Sequence, residues 1–200
     1  TTRGGRSGAL RIQAAYQGGV STFINQAKLL SGPAYYTLLK EYYINQERPE
    51  SVAAQLAGSS SIDTDWFGLT SRNARYSNLN FSLSGGKDGS TYFLSMGYRN
   101  QQNATPGNEL KQYTATLKYQ TKLSEKVRLN TTISPALMRR EGLDNFAANA
   151  YLPPNISPYN ADGSFATFQN LFNPLAVLAQ NEDKSQSITT NGQVDLQYDI

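Results

Sequence analysis

The chain has 200 residues, with 18 Lys and Arg against 15 Asp and Glu and a formal net charge of +3. It contains neither histidine nor cysteine, which excludes a Ser-His-Asp hydrolase, a His-ligated zinc site and disulfides from these residues, and no cofactor or metal is predicted. The basic residues are scattered without a run, so nucleic acid is not an expected partner.

The composition is typical of polar, aromatic-rich β-strands. Tyr occurs 13 times, Phe 8 times and Gly 16 times, and only 16% of the residues are charged. No stretch approaches the roughly 20 apolar residues of a membrane helix, and the N-terminal TTRGGRSGALRI has no signal-peptide core. A location in a membrane would therefore require strands.

The first predicted strand covers residues 10–20, where apolar and polar side chains alternate with period two. A long connection over 21–73 follows it. Inside this connection, apolar residues recur at helical spacing after Pro33 in GPAYYTLLKEYYINQ, which predicts a helix. A second short helix is predicted over 49–57.

Further alternating segments predict five more strands. They cover residues 78–84, 91–99, 112–120, 127–137 and 188–200. The short links GGKDG and TKLSEK join the second strand to the third and the fourth to the fifth, and the intermediate NQQNATPGNE joins the third to the fourth. A second long connection, over 141–185, contains NPLAVLAQ, which predicts a short helix beginning at Pro174.

Short and long connections thus alternate along the chain. In an up-and-down meander this places the tight turns at one end and the long loops at the other, as in transmembrane barrels. Alternating strands also fit a soluble β-sandwich, but a sandwich has no reason to sort its loops by length. Tyrosines lie towards the ends of the predicted apolar faces, where a barrel places its interfacial girdles: Tyr16, Tyr76, Tyr98, Tyr113 and Tyr198.

Residues 64–102, TDWFGLTSRNARYSNLNFSLSGGKDGSTYFLSMGYRNQQ, resemble a stretch shared by SusC/RagA-like TonB-dependent transporters. In that family a TDW box precedes a pattern of the form QNYNLSVSGG, a charged turn and YYLSLGY. Gly68, Leu69 and Ser77 depart from the usual residues of the family. The segments TTRGGRSG, YYTLLKEYY, PYNADGSF and NPLAVLAQ also resemble family segments, so the resemblance covers essentially the whole chain.

The resemblance implies an all-β fold: a partial antiparallel up-and-down transmembrane β-barrel, about six strands of a 22-strand barrel, with short helices in long extracellular loops. Residues 1–8 would be the end of a plug or linker, and 9–200 the N-terminal part of the barrel of a larger protein. The implied partners are a SusD-like surface lipoprotein, TonB acting through a plug absent from this chain, and outer-membrane lipid. The implied function is import of oligosaccharides or peptides across the outer membrane.

Aromatic side chains in the long loops are the candidate contacts with a substrate or with the lipoprotein. They are Trp66, Tyr151, Tyr159, Phe165 and Phe168, with Phe172 in the same cluster. Trp66 could stack on a sugar or anchor its loop on the barrel rim, and the others could contact a ligand or pack within their loop. A polar inward face would suit hydrated substrates and would include Arg11, Lys118, Arg128 and Asp195.

No enzymatic role is predicted. The carboxylate pairs Asp63 with Asp65 and Glu182 with Asp183 are of the kind that glycosidases use, but they are more typical of solvated loop charges. The NADGS stretch at 160–164 could hold calcium, although a plain turn is favoured. The alternative function is a soluble β-rich glycan-binding or adhesin module, in which the apolar strand faces would meet each other.

Overall fold

The computed structural model describes residues 5–24, 28–143, 151–168 and 171–199. In these ranges six antiparallel strands form one open sheet, in which each strand pairs with the next one along the chain. The strands are β1 (Gly8–Ser21), β2 (Ala74–Lys87), β3 (Ser90–Gln102), β4 (Asn108–Lys122), β5 (Val127–Gly142) and β6 (Lys184–Tyr198). All six predicted strands are confirmed, with boundaries shifted by a few residues. The predicted end of the sixth strand at Ile200 lies outside the described residues.

Four helices lie in the described parts of the two long connections. They are α1 (Gly32–Asn45), α2 (Glu50–Ala57), α3 (Trp66–Leu69) and α4 (Pro174–Gln180). Helix α1 begins at a Ser31 cap, whose Oγ accepts the backbone N–H of Ala34 at 3.4 Å, and α4 begins at Asn173, whose Oδ1 accepts that of Leu175 at 3.0 Å. The three predicted helices are confirmed, whereas α3 is too short to show helical periodicity in the sequence. None of the described helices is long and apolar enough to cross a membrane.

The pairing register sorts the strand side chains onto two unlike faces, because directly paired residues of antiparallel strands point the same way. One row across the sheet is Ile12, Leu83, Leu94, Leu117 and Ile133. The row next to it, on the opposite side, is Arg11, Ser84, Phe93, Lys118 and Thr132. We call these sides the apolar face and the polar face. Every predicted period-two pattern is therefore in phase with its neighbours.

The position predicted for Tyr76 is wrong. Tyr76 pairs with Gly19 and with Gln101, so its ring lies on the polar face and not at the border of the apolar one. The physical reason is the strand period of two, which puts Tyr76 out of phase with Leu79, three residues later. The other tyrosines predicted at the borders lie on the apolar face: Tyr16, Tyr98, Tyr113 and Tyr198.

The connections at one end of the sheet are tight, and we call this end the turn end. Asp88 and Gly89 alone join β2 to β3, and both have positive φ, 51° and 78°, the geometry of a two-residue hairpin turn. Residues 123–126 join β4 to β5. Both short turns predicted from the sequence therefore lie at the same end of the sheet.

The opposite end, the loop end, carries the long connections 22–73 and 143–183. The third connection there, residues 103–107, is shorter than predicted because β3 and β4 both extend into the predicted link. The sorting of the long connections to one end is nevertheless confirmed, since both long ones emerge at the loop end.

The segment before β1 lies against the polar face near the turn end. A Cβ added to Gly5 would lie 2.8 Å from the Cβ of Thr91, which points to that face. Phe93, two residues further along the same strand, is buried on the same face. Strand β1 begins at Gly8, while the expected boundary between linker (1–8) and barrel (9–200) stays a prediction.

Candidate ligand-contact site at the loop end

The two long connections bind each other through the segment around Trp66. The backbone N–H of Thr64 donates to the carbonyl oxygen of Pro154 at 2.7 Å, and its Oγ1 donates to that of Ile156 at 2.6 Å. The indole Nε1 of Trp66 donates to the carbonyl oxygen of Pro153 at 3.0 Å. These bonds join residues that are about ninety positions apart in the sequence. We call the described parts of the two joined connections, within residues 22–73 and 143–183, the loop body.

A buried amide makes a second joint between the same connections. The Nδ2 of Asn155 donates to the carbonyl oxygens of Ala57 and Ser59, at 2.7 and 3.3 Å. The first of these is an end carbonyl of helix α2, which has no partner within its helix. Within the first long connection, the backbone N–H of Gly32, at the start of α1, donates to Oδ1 of Asp63 at 2.7 Å.

Arg72 ties this loop body to the short connection at the loop end. Its backbone N–H donates to the carbonyl oxygen of Ala104 at 2.7 Å, and its guanidinium reaches the carbonyl oxygens of Asn103 and Asn108 at 3.3 Å each. The Nδ2 of Asn108 donates in turn to the carbonyl oxygen of Leu143 at 2.6 Å. The first long connection is therefore hydrogen-bonded to the short connection, and the start of β4 is hydrogen-bonded to the second long connection.

The structure divides the predicted aromatic cluster into pairs. The ring of Trp66 contacts that of Phe168 edge to face, with 5.8 Å between centroids, and Tyr159 lies over Phe165 at 5.5 Å. Trp66 is only 3% exposed, so it is placed to hold the loops together and has almost no surface for direct stacking on a ligand. A contact with substrate or lipoprotein stays a prediction for these residues.

Two further aromatic side chains of the predicted cluster stand free in solvent. Tyr151 is 74% exposed and Phe172 is 82% exposed. Large apolar side chains at this exposure are the parts of the loop body best placed to contact a partner.

A cleft of about 620 Å³ opens between the two long connections. Tyr151 borders it on one side, Tyr35 and Lys28 on the other, and Trp66 and Asp63 contribute to its wall. The cleft combines aromatic rings with one cation, Lys28, and two carboxylates, Asp63 and Asp65, the mixture by which small polar ligands are oriented. Two of the predicted aromatic residues, Tyr151 and Trp66, line this cleft. A third, Phe168, contacts the ring of Trp66.

Three of the four carboxylates that resembled glycosidase pairs, Asp63, Asp65 and Glu182, have structural partners. Asp65 caps helix α3, since its Oδ1 accepts the backbone N–H of Gly68 at 2.9 Å, and Asp63 accepts that of Gly32 as described above. Glu182 forms an ion pair with Lys184 at 3.0 Å. These contacts support the interpretation of these residues as loop charges.

The NADGS stretch forms a tight turn, as predicted. The Oδ1 of Asp162 accepts both the backbone N–H and the Oγ of Ser164, at 2.9 and 2.6 Å, and Gly163 has a φ of 82°. The hydrogen bonds from Ser164 hold the pKa of Asp162 below its usual value of 3.8. No group of three or more carboxylates that could hold a metal ion occurs in the described part of the chain.

Two arginines on the polar face were not singled out from the sequence. Arg99 pairs with Asn78 and Gln112, and Arg140 pairs with Leu110, which places both side chains on that face near the loop end. The signal was present for Arg99, because it alternates with Tyr98 in a predicted strand. Arg140 lies beyond the predicted end of its strand, so its face was not predictable.

Comparisons with known proteins agree with this architecture. No family model matches the chain. The chain is 24% identical over 129 residues to "TonB-dependent receptor P26" of Formosa agariphila, a match that covers 62% of this chain and 13% of the receptor. The chain thus corresponds to a small part of the length of that curated relative.

Solved structures give the same result for the fold. The RagAB peptide transporter aligns with a TM-score of 0.71 at 18% identity, over 96% of this chain and 26% of that chain. The RagAB peptide importer in its open-open state aligns with a TM-score of 0.66 at 17% identity, over 98% of this chain and 27% of that chain. The predicted fold class and the predicted resemblance to SusC/RagA-like TonB-dependent transporters are confirmed.

Proposed function

We propose that this chain forms part of the barrel wall of a TonB-dependent outer-membrane importer of oligosaccharides or peptides. One observation carries the proposal: the apolar face is continuous over six strands, and no described helix or second sheet covers it. Met96 and Leu117, in the two central strands of this face, are 52% and 43% exposed. An apolar surface of this extent requires an apolar environment, which a lipid bilayer provides.

The dimensions of the strands support the same environment. The six described strands have 13 to 16 residues each, more than the roughly 9–11 that a tilted strand needs to cross a bilayer. Tyr98 and Tyr113 pair at one border of the apolar face, and Tyr92 and Tyr119 pair at the other. Paired tyrosines at both borders match the aromatic girdles of barrels in the outer membrane.

The soluble module that was the alternative requires the apolar face to meet another apolar surface. Contacts between the described elements run between neighbouring strands and between α1 and α2. A sandwich partner for the sheet is absent from the described part of the chain. A role in the wall of a membrane barrel is therefore better supported than a role as a soluble binding module.

The partners follow from the same proposal. The loop body would face the outside of the cell and bind a SusD-like lipoprotein, with Tyr151, Tyr159 and Phe172 offering exposed apolar surface. Trp66 and Phe168 would position that surface from within. TonB would act through a plug connected to the segment before β1, whose position against the polar face supports an approach from the lumen. The RagAB structures are described as a peptide importer, which supports peptides as one substrate class.

Uptake in cells tests the proposal. Fluorescent peptides and oligosaccharides are offered to cells that make the full-length protein carrying this chain, with TonB present or deleted. We expect uptake of at least one substrate class only where TonB is present. Uptake that is independent of TonB, or full-length protein that fractionates with the soluble proteins, would contradict the proposed function.

A further inference from the structure

The polar face carries a large excess of positive charge. Its basic side chains, assigned by the register of the described strands, are Arg11, Arg99, Lys118, Lys122, Arg128 and Arg140. The acidic ones are Asp195 and, just beyond β6, Asp199, which forms an ion pair with Arg128 at 2.8 Å. The polar face is therefore strongly cationic, although the net charge of the whole chain is only +3.

The two signs are not evenly distributed along the strands. Asp195 and Asp199 both lie near the turn end, where β6 ends. Arg99 and Arg140 lie near the loop end, and neither forms an ion pair with any residue in the described ranges. The two rows between the row of Arg11 and Lys118 and the row of Arg99 consist of uncharged side chains, and one of them contains Ser82, Ser95 and Thr116. The loop end of the polar face thus has positive charge without compensation.

Two clefts occupy this part of the polar face. One of about 730 Å³ contains Arg99 together with Tyr76, and the other, of about 430 Å³, contains Arg140. Both are bordered by Phe23 and Asn103, so they adjoin each other. The ring of Phe23 is itself stacked on Phe67 of the loop body, with 6.3 Å between centroids, which holds it in place between the two arginines.

The chemistry of these side chains selects an anion. A guanidinium presents a planar fork of N–H donors that matches a carboxylate, and it keeps its charge at every physiological pH. Arg99 is oriented by a 2.7 Å hydrogen bond from its Nη2 to Oε1 of Gln101, and its remaining donors are available to a ligand. A concave surface of one charge raises the local concentration of the opposite charge.

We propose that Arg99 and Arg140 form an anion-recognising subsite that selects a carboxylate-bearing substrate, with Phe23 as the apolar platform between them. The proposal rests on the proposed function, because the polar face lines a passage only if the sheet is part of a barrel. It narrows the substrate to an acidic oligosaccharide or an acidic peptide, which share the carboxylate that the two arginines recognise.

Matched charged and neutral probes test the subsite on the full-length protein in detergent. One pair is a tetragalacturonate and its methyl ester, and the other is a Glu-rich pentapeptide and its Gln counterpart. We expect the acid of at least one pair to bind roughly tenfold or more tightly than its neutral partner, with the preference falling as salt rises. The pair that shows the preference identifies the source of the carboxylate.

Variants locate the preference on the two arginines. R99Q and R140Q should each weaken it, and the double variant should abolish it. R139Q is the matched control, because Arg139 lies on the apolar face and bonds Gln186, so the same charge is removed one residue away. R99K keeps the charge without the planar fork and should restore only part of the preference.

Equal affinity for acidic and neutral probes in both pairs would overturn the subsite, and so would an equal loss of preference in R139Q. If R99Q does not fold, R99K and the salt dependence of the unaltered protein still decide the outcome. Cellular uptake separates this failure from that of the proposed function. TonB-dependent uptake without any charge preference contradicts only the subsite, whereas uptake without TonB contradicts the importer.

Discussion

The indole Nε1 of Trp66 donates a hydrogen bond to the carbonyl oxygen of Pro153 at 3.0 Å, across 87 positions of sequence. The contact joins the two long connections, and the edge-to-face contact of the indole with Phe168 completes the enclosure of the ring. Of the two roles considered for Trp66, stacking on a sugar and anchoring of its loop, these contacts favour the second. Tyr151, which lines the same cleft as Trp66, is 74% exposed and keeps surface for a contact.

Replacing Trp66 with alanine should separate the loops without disrupting the sheet. Removing a buried indole costs about 3–5 kcal/mol, and none of that loss falls on the strand pairing. We expect limited proteolysis to cut within residues 143–183 of the W66A protein, while the heat-modifiable migration of the barrel stays unchanged. Y151A, which removes an exposed ring, is the control and should leave the proteolysis pattern as it was. Cleavage at the same rate in both variants would count against the joint.

Asn155 should be intolerant of aspartate. In N155D an oxygen would replace Nδ2 and face the carbonyl oxygens of Ala57 and Ser59 in a buried position, whereas N155A would leave both carbonyls without their donor, at about 1–3 kcal/mol. Hydrogen exchange of helix α2 should accelerate in both variants, and more in N155D. N160A is the control, because Asn160 is exposed and water replaces its bonds.

A charge should be tolerated at residue 116 and not at residue 117. L117R places a guanidinium on the apolar face, where a basic side chain in the middle of a bilayer costs about 2–4 kcal/mol. T116R is the adjacent control on the polar face. We expect folded full-length protein in the outer membrane to fall for L117R and to stay near its usual level for T116R. Equal amounts of the two would mean that the apolar face does not meet lipid.

The hairpin between β2 and β3 should depend on Gly89. Its φ of 78° belongs to the left-handed region, and a side chain there costs about 1–2 kcal/mol, while an added Cβ meets Lys122 only at 3.5 Å. G89A should therefore lower the free energy of unfolding in urea by about that amount through backbone strain alone. G192A is the control, because a Cβ at Gly192 meets nothing within 4 Å, and we expect a change within about 0.5 kcal/mol.

Acid should loosen the contact between α1 and α2. The hydrogen bond from Lys40, at 2.7 Å, lowers the pKa of Glu50 below its usual value of 4.5. A lowered pKa means that the ion pair stabilises the contact fully above pH 4.5 and that this contribution is lost as the pH falls through the pKa of the folded state. Exchange of α2 amides, corrected for intrinsic rates, should therefore rise on acidification in the unaltered protein. In E50Q it should be independent of pH over the same range.

Much of the sheet was readable from local pattern. A period-two row such as Tyr113, Ala115 and Leu117 specifies a strand and its two faces within a few residues, and a turn such as Asp88 with Gly89 specifies which strands are neighbours. The Tyr76 error shows the limit of this reasoning, because residues near a strand end were assigned to a face by type rather than by phase. Helix α3 was missed because a single turn has no period to detect.

The contacts within the loop body could not be predicted from local sequence pattern. Its joints connect Trp66 with Pro153 and Asn155 with Ala57, residues whose separation in sequence carries no periodic signal. The same holds for the clefts of the polar face, where Phe23 from one connection stands between arginines of β3 and β5. Alternation of side chains is a property of each strand alone, so the amino-acid order was sufficient to assign the two unlike faces. Contacts between distant segments depend on how the whole sheet brings its ends together, so they became visible only in three dimensions.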